Sequence, residues 1–332
     1  MKYLLNQNKF SFNKNKMILD FNSLSFMLKI NNILINIEFS VSTFAIVSNL
    51  LCIWVCSRAN LRKYSYSFYT IFLAINNILV VLTGVNRWSS FILNANVELT
   101  SEFLCKISKY RSWGFGNIST IMTTIISLDR LLTVMFPNKF TIFKKRWVQC
   151  LVVAGAIFFY GLATIIVPLY TRLVEVNIGT SRLLFCNIGS EIFQTLTWLS
   201  LGNIILFAFV VNNIMSIVLI RFIWMSRKKT KSGPTSNIKN KDRKFAICSI
   251  SLNIVCTISQ IPLLVLFTIN SSRLTRDERT VMQTAFTAMS GFQYASVFVI
   301  NLVGNTMFRD ELVKILGFNR RSNAVMSSTG LV

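Results

Sequence analysis

Residues 103–136 read FLCKISKYRSWGFGNISTIMTTIISLDRLLTVMF. From Ser112 to Leu128 the run carries no charge, and it ends on Asp129-Arg130-Leu131, a charged pair that is costly inside hydrocarbon and therefore marks a water boundary. Cys105 stands 25 residues before Arg130, which at 1.5 Å per residue is ~38 Å of helix. That length carries a tilted helix across a ~30 Å apolar core, so both ends reach an interface.

Working outward, six further apolar runs have the length to cross a bilayer: about 37–57, 66–86, 147–169, 195–225, 245–269 and 281–303. Helices are the only open-ended structure that satisfies its own backbone in lipid, so the expected fold is all-α, a seven-transmembrane helix bundle. After it, Phe308, Leu312, Ile315 and Leu316 recur at i, i+4, i+7 and i+8, the stripe of a short amphipathic eighth helix lying on the membrane surface. The expected organisation is an N-terminal segment at 1–36, the helix bundle at 37–303, and the eighth helix with a tail at 304–332. The basic start of the chain is not followed by a clean apolar run and small-residue cleavage site, so no signal peptide is read and the first span directs insertion.

Composition agrees. Of 332 residues 53% are hydrophobic and 14% charged, the mean hydropathy is +0.54, and there is no His. That excludes histidine bases, Ser/His/Asp triads, HExxH zinc sites and haem ligation by His, and the expectation is that the chain is not an enzyme and holds no metal or cofactor. A formal charge of +23 raises nucleic-acid binding, but the basic residues fall in short clusters between apolar runs, so nucleic acid is not expected as a partner. The loops at 57–65, 137–146 and 226–244 hold fifteen Lys and Arg against Asp242 alone, whereas those at 87–102, 170–194 and 270–280 hold six basic and six acidic residues. The positive-inside rule puts the first set in the cytoplasm and the N-terminus outside, with five Lys of the N-terminal segment pulling the other way.

Cys105, the Asp129-Arg130-Leu131 triplet, Val134 and Pro137 together resemble the third helix of the rhodopsin-like (class A) G-protein-coupled receptors. Other positions agree: Ser48-Asn49 in span one, Leu73-Ala74 followed by Asn77 in span two with Asn in place of the family's Asp, and Pro262 in span six, where the family kinks that helix. The resemblance covers about residues 37–320. It implies a disulfide from Cys105 to Cys186, G-protein coupling through Asp129, Arg130, Leu131 and Pro137, and a polar core at Asn49, Asn77, Ser119 and Gln293 that in the family holds sodium and water. With Asn77 in place of the carboxylate, weak or absent sodium modulation is expected.

For the ligand, Ser112 stands seven residues after Cys105, where amine receptors of the family carry an Asp, so a biogenic amine is not expected. Arg87, Trp88, Ser112, Trp113, Gln260 and Phe267 are the candidate ligand-binding residues, and Arg87, Trp88, Lys109, Arg111 and Phe267 give a basic, aromatic mouth that suits a peptide, as in the invertebrate FMRFamide-like receptors, or an acidic ligand. Each of these side chains taken singly reads equally well as solvated or snorkelling to the interface. Asn270-Ser271-Ser272 is a glycosylation sequon in an expected outer loop, and Asn117-Ile118-Ser119 matches the same pattern by coincidence inside span three.

The departures are specific. Span six reads Ser259-Gln260-Ile261-Pro262 where the family has Cys-Trp-x-Pro, and span seven reads Val297-Phe298-Val299-Ile300-Asn301 where it has Asn-Pro-x-x-Tyr. The expected partners are a heterotrimeric G protein, an extracellular peptide and membrane lipid, in the plasma membrane. The alternatives are a divergent receptor that is constitutively active or silent and, outside the class, a membrane transporter, which the scarcity of intramembrane acids disfavours.

Overall fold

The apolar runs fold as helices because a helix pairs its backbone N–H and C=O groups inside its own segment, which lipid cannot do for them. A computed structural model describes residues 14–82, 97–136, 141–178, 181–229, 236–268 and 276–317. We number the principal helices α1 (Lys14–Cys56), α2 (Ser65–Val81), α3 (Glu102–Met135), α4 (Arg146–Thr164), α5 (Ser190–Asn203, a π-helical stretch Ile204–Val211, and Asn212–Lys229), α6 (Ser236–Thr268), α7 (Arg276–Gly304) and α8 (Thr306–Ile315). Among the described residues six helices are long and apolar enough to cross a membrane, and α2 is a shorter apolar one.

α1 is described from Lys14 and runs unbroken through residue 37 to Cys56, so the expected start of the first span is no break in the backbone. Residues 14–36 contain neither Pro nor Gly, and nothing in them stops a helix. In the second span α2 is described to Val81, and residues 83–86 of the expected run lie outside the described residues.

The helix α3 is the hub. Ser101 caps it, its side chain accepting from the Leu104 backbone N–H at 3.2 Å, and it packs against α2, α4, α5 and α6. α7 packs on α1 and α6, and α1 on α2. The main core, which includes Val55, Tyr69, Met122, Ile126, Phe245 and Phe308, gathers around the Arg130 half of α3. Outside, Phe158 is 68% and Val303 73% exposed, an apolar exterior suited to lipid as solvent.

The all-α reading missed a β-hairpin. β1 (Thr171–Ile178) and β2 (Ser181–Ile188) pair antiparallel, with Leu173 opposite Cys186. Cys186 is bonded to Cys105, Cα to Cα 5.6 Å, which ties the ribbon to the start of α3.

Candidate functional site

At the far end of α3 from the disulfide, Arg130 is only 2% exposed, and its neighbours come from three helices, α2, α3 and α6. Its Nε donates to Asp129 Oδ2 at 2.9 Å, and its Nη2 donates both to Asp129 Oδ2 and to Ser65 Oγ, while Ser65 Oγ donates to Asp129 Oδ2 at 2.9 Å. The guanidinium carbon lies 5.7 Å from the Tyr66 ring centroid and 5.6 Å from that of Phe245, and the two rings are 4.9 Å apart. Tyr66 donates its O–H to Asn301 Oδ1 at 3.0 Å, and Asn301 in turn donates to the Val297 carbonyl. A charge taken this far out of water is tolerable only while ion pair, hydroxyl and ring faces surround it together. Moving α6, which carries Phe245, removes part of that surround.

One layer toward the membrane centre, α3, α5 and α6 are joined by a polar cluster. Ser127 donates to Asn253 Oδ1 at 2.8 Å and lies 2.9 Å from Ser249 Oγ, while Asn253 donates to Ser216 Oγ at 2.8 Å and to the Asn212 carbonyl. The wide turns of the π stretch leave the Ala208 carbonyl to Thr257, which donates to it at 3.0 Å.

The expected polar core divides in two. Asn49 donates to the Tyr294 carbonyl at 2.8 Å, Asn77 reaches the same oxygen at 3.4 Å, and Ser119 donates to Asn77 Oδ1 at 2.9 Å. Asn76 joins them, donating to Ser119 Oγ at 2.6 Å. Gln293 points elsewhere, accepting from Gln260 Nε2 at 2.7 Å and Ser259 Oγ at 3.0 Å. Among the described residues no group of three His, Cys, Asp or Glu side chains could hold a metal ion.

Residues 48–299 match the family model of the 7 transmembrane receptor (rhodopsin family). The chain belongs to that receptor family. A comparison with curated proteins finds no match.

In the receptor, Asp129 and Arg130 meet as the triplet implied, and Leu131 is half-buried against the cluster of Leu219, Ala246 and Ile250. Gln260 is buried and clamped to Gln293, and Pro262 is buried within an α6 that continues past it to Thr268. Asn117 is buried, bonded to Ser200 and Asn203, so the inner sequon is out of reach of modification. Arg87, Trp88, Pro137 and the Asn270 sequon lie outside the described residues, as do the side chains of Ser112, Trp113 and Phe267. Sequence reasoning missed Ser65, Tyr66, Asn76, Phe245 and Asn253. Asn76 and Asn253 carried a signal, a polar side chain in mid-span; Tyr66 and Phe245 carried none.

The eighth helix is present where the apolar stripe put it. Asn305 caps it, accepting from the Met307 and Phe308 backbone N–H groups, and Phe308 and Leu312 are buried. Glu311 accepts from Lys314 Nζ and from Asn60 Nδ2, both at 2.8 Å, and Lys314 beside it holds its carboxyl below the usual carboxylate range.

Proposed function

We propose that this receptor sits in the plasma membrane with residues 1–36 outside and 304–332 in the cytoplasm, and that it converts the binding of an extracellular peptide into activation of a heterotrimeric G protein. The reading rests above all on Arg130, a buried charge held by α2, α3 and α6 at the end of the bundle flanked by the basic loops. A ligand at the opposite end needs only differential affinity for a bundle in which α6 has moved off Arg130. The freed arginine, with Asp129, Leu131 and Pro137 beside it, then faces the G protein. Anionic lipid on the same face neutralises the loops at 137–146 and 226–244.

Support for a peptide comes from the hairpin. A two-stranded ribbon leaves both outer edges with unpaired backbone groups, and an extended peptide adds to such an edge by main-chain hydrogen bonds. Its disulfide holds that edge over the start of α3, next to the helix carrying Ser112 and Trp113. Arg87, Trp88, Gln260 and Phe267 complete the candidate contact set.

Nucleotide exchange on purified G proteins by the full chain in lipid, under a peptide panel, tests this, with Arg130→Ala as control. Peptide-stimulated exchange that Arg130→Ala abolishes is the expected result. A second reading, a receptor that is constitutively active or silent, is favoured by Gln260 and Asn301 standing where the family has Trp and Tyr. Exchange that is high without peptide, or zero with every peptide, sustains it instead.

A further inference from the structure

Asn212 opens the second half of α5, directly after the π-helical stretch, and has no exposed surface. Its backbone is fully bonded: the N–H donates to the Phe207 carbonyl, and the carbonyl accepts from Ser216 Oγ at 2.8 Å and from Asn253 Nδ2 at 3.2 Å. Its side chain is not. Among the described residues neither Nδ2 nor Oδ1 of Asn212 has a hydrogen-bond partner.

Asn212 and Ser216 stand four residues apart and share one face of α5, the face that meets Asn253 of α6 and, through it, Ser127 of α3. The hydrogens of that cluster are already placed. Ser216 gives its hydrogen to the Asn212 carbonyl, and Asn253 gives its two to that carbonyl and to Ser216 Oγ. Ser127 donates to Asn253 Oδ1, which leaves Ser249 as the donor across the 2.9 Å between the two serine hydroxyls. Acceptor capacity remains, because Ser216 Oγ has two lone pairs and takes one hydrogen from Asn253. What is missing is a donor for Asn212 Oδ1 and an acceptor for Asn212 Nδ2. A buried amide left bare at both atoms loses its hydration and gains nothing for it, so buried amides are almost always paired, with protein or with ordered water.

We infer that Asn212 binds an ordered water in the seam where α5 meets α3 and α6, the water bonding the Asn212 amide with Ser216 Oγ, on the same face, as a further acceptor. Water both donates and accepts, and a buried one typically makes about three hydrogen bonds. The cluster contains no carboxylate, which a cation site would need. A lipid headgroup has no route to a residue without exposed surface. The site is separate from the group of Asn49, Asn77 and Ser119, which joins α1, α2 and α3 to the Tyr294 carbonyl of α7. On the reading in which α6 leaves Arg130, the water gives Asn253 an exchangeable partner, so that α6 shifts against α5 without stranding an amide; the water itself does not depend on that reading.

The test is structure determination of the full-length receptor in lipid, at a resolution that shows ordered water, with melting temperatures of three variants. A water peak within hydrogen-bonding distance of Asn212 Nδ2 or Oδ1 is the expected result. Asn212→Leu, which keeps the branched outline, and Asn212→Ala, which leaves room, are each expected to lower the melting temperature by about 2–4 °C, the scale of one lost hydrogen bond in a large domain. Asn212→Ser keeps a hydroxyl for the water and is expected to fall less. A dry site reverses the sign, because removing two unpaired buried groups stabilises. A rise for Asn212→Leu or Asn212→Ala would therefore overturn the assignment, as would an Asn212 amide with no peak beside it or one turned onto a protein group. Where a variant does not fold, the structure of the unaltered receptor decides. Nucleotide exchange separates the two readings: exchange that depends on Arg130 without a water at Asn212 removes the water alone, and a water at Asn212 without exchange under any peptide removes only the movement of α6.

Discussion

Arg130 shows how one side chain joins sequence to mechanism. Its charge is paid for by Asp129, Ser65 and two aromatic faces, and breaking one partner of a buried ion pair typically costs about 3–5 kcal/mol. Because that loss falls on the closed arrangement, Asp129→Asn is expected to raise peptide-independent nucleotide exchange, about tenfold for each ~1.4 kcal/mol removed from the closed state, while lowering the melting temperature. Unchanged basal exchange with a lowered melting temperature would mean that the pair only supports the fold. At Asn77 the expectation is the reverse of the family's habit. Its Oδ1 already accepts from Ser119 and it carries no charge, so the melting temperature should be the same in sodium as in a bulky organic cation, and Asn77→Asp should introduce a sodium-dependent rise. The triplet made Asp129 and Arg130 legible in the sequence. Ser65, Tyr66 and Phe245 were not, because what selects them is proximity created by packing, and no local pattern encodes it.

Elements were legible in proportion to how strongly lipid dictates them. Spans follow from hydropathy, and the eighth helix from its apolar stripe. The hairpin had one signal in the sequence, the apolar and polar alternation of Val174-Glu175-Val176-Asn177-Ile178, whereas Leu183-Leu184-Phe185-Cys186 in the second strand does not alternate and takes its order from pairing and from the bond of Cys186. Closing a loop of 81 residues is worth about 4 kcal/mol by chain entropy, so Cys105→Ser should lower stability and, on the peptide reading, weaken peptide binding without altering basal exchange. Between α6 and α7, a Cβ on Gly304 would lie 2.8 Å from the buried Cys248 Sγ. Gly304→Ala is accordingly expected to destabilise by about 1–3 kcal/mol, and Cys248→Ala in the same chain to restore most of it, read as melting temperatures in a double-mutant cycle. The tie from α8 to the turn at Asn60 depends on an ionised Glu311. Since its folded pKa is depressed, its contribution is full above the ordinary carboxylate range and is lost as pH falls through the lower folded value. A spin label at Leu316 should stay restrained from neutral pH down through the ordinary range and loosen only below it. Glu311→Gln should remove that step.

For the molecule as a whole, the asymmetry of basic residues is the support for the proposed sides, and the bundle puts the Cys105–Cys186 ribbon and the Arg130 junction at opposite ends of α3. Signal transmission across a membrane requires that opposition. It also requires the ribbon to be outside, and labelling with a membrane-impermeant thiol reagent measures this most directly, in a Cys150→Ala background carrying either Glu175→Cys in β1 or Lys139→Cys in the loop after Arg130. The account predicts that position 175 reacts in intact cells and that position 139 reacts only after the membrane is permeabilised. Reaction at 139 in intact cells, with 175 protected, would contradict it.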